Sequence, residues 1–86
     1  MDKNLLSCST RLAKLRHEYE TTFNNVSSFN PMSQIIIQTK LPAMQNELRS
    51  IARIMDSINV YSLSEADLGQ YQYLKVIFND LNDGLF

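Results

Sequence analysis

Residues Ile37–Ile58, IQTKLPAMQNELRSIARIMDSI, decide the fold. Within them Ile37, Leu41, Met44, Leu48, Ile51, Met55 and Ile58 recur in steps of four and three, and all seven are apolar. A helix turns once every 3.6 residues, so this spacing stacks the seven side chains on one stripe. The sequence therefore predicts a helix over about residues 32–59, and two features complicate it. Pro42 has no amide hydrogen and its ring crowds the carbonyl of Gln38, which favours a kinked or two-part helix interrupted at that residue. Ile35-Ile36-Ile37 is a β-branched run that also fits a buried strand, but no second strand lies nearby to pair with it, so helix is preferred.

Working toward the N-terminus, positions 5, 8, 12, 15, 19, 22 and 26 read Leu, Cys, Leu, Leu, Tyr, Thr and Val, again in steps of three and four. Arg11, Lys14, Arg16, Glu18 and Glu20 fall between them, and no glycine or proline interrupts the stretch. An amphipathic helix over about residues 4–27 is expected. Ser27-Ser28-Phe29-Asn30-Pro31 then breaks the pattern, because serine and asparagine bond locally to the backbone and proline pushes the preceding residue out of the α region.

Toward the C-terminus, Val60-Tyr61-Ser62-Leu63 leads to a marked helix start. Ser64 is placed to cap, Asp67 follows three residues on, and Leu63 and Leu68 hold the positions of a hydrophobic staple. The third helix is expected over about residues 65–83, with a seam of Tyr71, Leu74, Phe78, Leu81 and Leu85. Gly84 near its end suits a left-handed stop. Tyr73, Val76 and Ile77 lie off this seam, so the third helix is apolar on more than one side.

The whole chain of 86 residues has room for one domain, read as residues 1–86, in the size range where a single core folds alone with little stability to spare. Apolar residues make up 44%, charged residues 20%, and there are only two glycines and two prolines, a balance that argues against disorder and against a turn-rich β fold. The fold class is all-α, three helices with heptad-like seams. With a net charge of −1 the summed field is too weak to recruit nucleic acid or an anionic membrane. The charge is nevertheless uneven. Lys3, Arg11, Lys14 and Arg16 outnumber Asp2 near the start, whereas Glu65, Asp67, Asp80 and Asp83 outnumber Lys75 near the end, a polarity able to orient antiparallel helices or a partner.

Cys8 is the only cysteine, so no internal disulfide forms, and no apolar stretch is long enough for a signal peptide or membrane span. An intracellular location, in cytoplasm or nucleus, is the expectation. Asn25-Val26-Ser27 matches the glycosylation acceptor pattern and is read as chance in that setting.

The inventory for catalysis is thin: one histidine, one cysteine, no Gly-rich phosphate loop and no paired metal-ligand spacing. His17 falls among charged neighbours between seam positions and reads as a solvated surface residue. Cys8 lies on the apolar stripe, where cysteine behaves as a small hydrophobe. The pairs Glu18/Glu20 and Asp80/Asp83 read as solvated helix faces. Of the four methionines only Met44 and Met55 lie on a seam, which makes ordinary core a better reading than a methionine-rich groove. No enzyme activity, cofactor, metal or small-molecule substrate is expected.

Two architectures satisfy these seams. Either the helices fold on one another as an up-down-up bundle, or they lie extended and supply strands to coiled coils with other chains. The narrow stripe of the first helix, with only Phe23 beside it, and the surplus apolar surface of the third favour the second option. On that reading Leu12, Leu15, Tyr19, Leu41, Met44, Leu48, Ile51, Met55, Ile58, Leu74 and Phe78 are the surfaces that pack against partner chains. The expected role is that of a structural subunit of a hetero-oligomeric helical complex. The competing role is a self-folding helical adaptor or chaperone-like module that presents a groove to a peptide or helix, as in secretion or vesicle tethering.

The run Leu12-Ala13-Lys14-Leu15 with Glu18, then Leu41-Pro42, then ten residues, then Arg53-Ile54-Met55-Asp56-Ser57 resembles the N-terminal helical region of the Ask subunit of the fungal DASH (Dam) complex. That complex is a kinetochore assembly of small helical subunits that couples chromosomes to spindle microtubules. The resemblance covers residues 12–57 and needs one residue dropped between Leu15 and Pro42. It implies helix-packing roles for Leu12, Leu15, Leu41 and Met55, with no catalytic role.

Overall fold

The computed structural model describes residues 2–24 and 31–86, leaving aside the side chain of Ser33. Helix α1 spans Lys3–Asn24, α2 spans Pro31–Asp56, a short 3-10 turn covers Val60–Ser62, and α3 spans Glu65–Leu85. Val26, the Asn25 acceptor and residues 27–30 of the expected turn lie outside the described residues.

Each end has a local cause. Asp2, which the heptad reading passed over, caps α1: its Oδ1 accepts from the amides of Asn4 at 2.9 Å and Leu5 at 3.1 Å. Ser64 caps α3 as its sequence predicts, its hydroxyl accepting from the Asp67 amide at 3.2 Å. Helix α2 stops at Asp56, short of the expected 59. Asn59 takes a local role instead, its side chain accepting from the Tyr61 amide at 3.1 Å and starting the 3-10 turn.

Pro42 does not divide the second helix, which runs through it as one element. The carbonyl that proline leaves without a donor belongs to Gln38, and both residues are exposed. Water is available to that carbonyl, so the missing bond is far less costly than it would be in the core.

The helices run up, down and up. Arg11 of α1 donates to both carboxylate oxygens of Glu47 of α2, Nε to Oε2 at 3.3 Å and Nη2 to Oε1, and its Nη2 also donates to the Ser50 hydroxyl at 3.0 Å. Between α1 and α3 the pairs Asp2 with Asp67, Ser9 with Gln70 and Tyr19 with Gly84 advance together along both helices, so these two are parallel. The charge polarity of the sequence is therefore not used to align antiparallel helices; among the described residues the ion pair across helices is the lateral Arg11–Glu47 pair.

The bundle is a rod of 49 × 18 × 18 Å. Its core is Leu5, Cys8, Leu12 and Leu15 of α1, Met44, Leu48, Ile51 and Met55 of α2, Ile58 just beyond, and Leu74, Leu81 and Leu85 of α3. Burying each leucine or isoleucine stabilises by roughly 1.5–3 kcal/mol, so the seam positions dominate stability. The preference for an extended coiled-coil strand is thus corrected. A stripe two positions wide suffices for α1, because it sits in the trough between α2 and α3, and on the α2 side Arg11 reaches over to Glu47 and Ser50.

Gly84 is not a left-handed stop. It has no positive φ and lies inside α3, which continues to Leu85. Its missing side chain leaves room for the Tyr19 phenol: a Cβ there would meet the phenol oxygen and lie 2.8 Å from Tyr19 Cζ. Tyr19 in turn packs on Phe23, ring centroids 4.7 Å apart.

Two stability experiments follow. The Thr22 hydroxyl is buried with no hydrogen-bond partner among the described residues. An unpaired buried hydroxyl costs about 1–3 kcal/mol, so Thr22→Val, nearly the same shape, is expected to raise the melting temperature by several degrees in a circular-dichroism melt. Gly84→Ala is expected to lower it while Tyr19 is present and to raise it in a Tyr19→Leu background, where only the helix-propensity gain of roughly 0.5–1 kcal/mol is left. Equal shifts in the two backgrounds would show that Tyr19 does not require the glycine.

Candidate protein-interaction surface

Eight of the residues expected to face partners, Leu12, Leu15, Met44, Leu48, Ile51, Met55, Ile58 and Leu74, are buried in the chain's own core. Tyr19, Leu41 and Phe78 are half-buried at its edge. They are therefore corrected from partner contacts to fold determinants. The physical reason is that heptad spacing records that a stripe is buried, without recording which helix covers it.

The apolar side chains left to solvent are different ones. Leu6 is 54% exposed, Tyr73 55% and Val76 59%, while Met32, Ile35 and Ile36 form a separate group on α2. Leu6 belongs to a second stripe of α1, with Ser9, Ala13, Arg16 and Glu20 in steps of three and four. Gln70, Tyr73 and Ile77 make a matching stripe on α3. Between them runs a cleft of about 240 Å³ lined by Ser9, Ala13, His17, Tyr73, Leu74 and Ile77, with Arg16 and Glu20 also on its wall. Small residues on α1 keep it open, and Ser9 with Gln70 bridges it near one end at 3.5 Å. Arg16 donates to Glu20 at 3.1 Å, so these two charges satisfy one another on the rim.

Two smaller hollows lie elsewhere. One, between α2 and α3, is lined by Leu48, Ala52, Phe78, Asn82 and Phe86, with the Arg49 guanidinium 4.8 Å from the Phe86 ring centre. The other, between α1 and α2, is lined by Lys14, Leu15, Glu18, Ala43, Met44 and Glu47. Gln45 donates to the Leu85 carbonyl at 2.7 Å, so a side chain of α2 closes the end of α3.

With this geometry in place, the chain can be set against known proteins. It matches no protein-family model, no curated protein and no solved structure.

The groups that carry chemistry in other proteins are placed as follows. His17 is exposed at the cleft. Cys8 is buried, and burial pushes its thiol up, against the opposing pull of Arg11 and with a smaller push from Asp2. A buried thiol held in its neutral form is a poor nucleophile. Among the described residues no three of His, Cys, Asp and Glu come together as a metal site, and no helix is long and apolar enough to cross a membrane.

The raised thiol has a readable consequence. Because the folded state holds the proton to higher pH than the unfolded chain, the stability carried by neutral Cys8 is present below the unfolded thiol's ordinary value. It is lost as pH rises through the folded one. At pH 8 an aromatic disulfide reagent should leave Cys8 unmodified in the folded protein and titrate one thiol in denaturant. Stoichiometric reaction of the folded chain within seconds would contradict the burial.

Proposed function

We propose that this chain is a non-enzymatic helical interaction module that folds by itself and enters a larger helical assembly by seating an amphipathic helix of a partner protein in the α1/α3 cleft. One observation carries the reading. The seam positions are consumed by the chain's own core, yet Tyr73 stands 55% exposed on a groove whose α1 wall of Ser9, Ala13, Arg16 and Glu20 and α3 wall of Gln70, Tyr73 and Ile77 both follow helical spacing. A helix laid there would turn three helices into four and cover these side chains, the usual geometry of helix-in-groove recognition.

This joins the two roles weighed from the sequence: self-folding, because the core is complete, and subunit-like, because one face is unfinished. The positions singled out by the Ask resemblance, Leu12, Leu15, Leu41 and Met55, lie in or beside the chain's own core, so they support helix packing in general. Kinetochore–microtubule coupling, the finer form of that resemblance, takes no support from the exposed residues. Buried Cys8 and exposed, solvated His17 support the non-enzymatic part of the reading.

The test separates fold from docking. Ala13→Glu and Tyr73→Glu together, both exposed and on the cleft wall, are expected to leave the melting temperature within about 2 °C of wild type, since exposed substitutions change stability little. They should remove, from affinity purifications in the native cell, the stoichiometric partner that wild type retains. Leu48→Asp should lose both the fold and the partner. An Ala13/Tyr73 variant that retains its partner at wild-type stoichiometry would overturn the assignment of this groove.

A further inference from the structure

The two ends of the rod are not alike. At one end all three helices are present together. At the other, α3 is spent level with Gln45, as the Gln45 bond to Leu85 and the Arg49 contact with Phe86 show. Residues 31–44 of α2 therefore run on for about 21 Å beyond α3, at 1.5 Å per residue, and among the described residues the last turns of α1 are what lies beside them.

This overhang has two apolar faces. Ile37 and Leu41 continue the core stripe toward Tyr19 and Phe23 of α1 and are half-buried, because the third helix that covers the equivalent side chains lower down is not there. Met32, Ile35 and Ile36 lie on the other side, in line with Thr39 and Ala43, and are exposed by 59%, 54% and 40%. Each copy thus offers a two-helix slot open on its third side and a helix that is apolar on its outward face.

Charge narrows the occupant. Residues 31–46 carry one charged side chain, Lys40. A two-fold interface sets the same patch against itself, so a patch rich in one sign repels its own copy, whereas a nearly neutral one does not. The segment offers a charged partner only Lys40 to pair with.

We propose that the overhang is a homodimer interface: two rods meet head to head, antiparallel, and the α2 overhang of each fills the vacant third-helix position of the other. The result is a central four-helix section built from the end of α1 and the start of α2 of both copies. The interface is isologous and closes on itself, so it gives dimers and not filaments. It lies on a different surface from the α1/α3 cleft, so the two readings stand or fall separately.

Sedimentation equilibrium on the full chain tests it. Mass should rise with concentration from the monomer value of 9.9 kDa toward twice that and level off. Ile35→Glu with Ile36→Glu, and separately Ile35→Lys with Ile36→Lys, should each hold the chain monomeric with the helical signal retained, and mixing the two should restore a dimer. Ala13→Glu with Tyr73→Glu, in the cleft, should leave dimerisation unchanged. Should the charged variants fail to fold, cysteine placement answers the same question in a Cys8→Ala background. Thr39→Cys should oxidise to a covalent dimer, whereas Tyr61→Cys, at the opposite end and 97% exposed, should stay monomeric. A chain that stays monomeric at millimolar concentration, charged variants that fold and still self-associate, or equal cross-linking at both cysteines would overturn the proposal.

Discussion

The rest of the structure depends on the seating of α1 in the trough between α2 and α3. Leu5, Cys8, Leu12 and Leu15 have essentially no exposed surface, and they meet the buried stripe of Met44, Leu48, Ile51 and Met55. Helices of this length are marginal in water on their own, so each is stable only because its apolar stripe is covered. Removing any one of the three would uncover the other two, which makes the rod a cooperative unit.

Around that core the polar side chains settle register. Asp2 caps α1, and its own amide reaches Asp67 at 3.3 Å, which ties the start of α1 to the start of α3. The Arg11 group fixes α1 against α2 through Glu47 and Ser50, and Gln45 fixes α2 against the end of α3. The Arg11–Glu47 pair is about one third exposed on each side, so solvent screens it and it adds less than about 1 kcal/mol. Its value lies in register, because Arg11 reaches two acceptors from only one sliding position of the helices.

Function, on this picture, belongs to what the core leaves over. A bundle that closes its seams still exposes Tyr73 on the α1/α3 cleft and Met32, Ile35 and Ile36 at one end. The two patches differ in character. The first is a groove with a charged rim and small side chains in its wall; the second is a nearly uncharged helix face that α3 does not reach. A mixed groove suits a foreign helix with its own charges, and a neutral self-similar face suits a second copy.

Much of this was legible beforehand, and the divide has a physical cause. The 3-4 spacing of apolar residues determined the helices and nearly all of the core, because burial on one face of a helix leaves a periodic trace in the chain. Ser64 announced its cap, and the off-seam Tyr73 and Val76 announced apolar surface in excess. Spacing is silent about which helix covers which stripe, so it could not distinguish an intramolecular bundle from a strand awaiting partners, and it assigned Leu12, Leu48 and Met55 to the wrong neighbour. Three further features were decided by the tertiary structure alone. Pro42 is tolerated because it and Gln38 face water, Gly84 serves the Tyr19 ring in place of a left-handed turn, and the start of α2 is bare because α3 stops level with Gln45. Each depends on a distance between residues far apart in the chain, and no local pattern encodes such a distance.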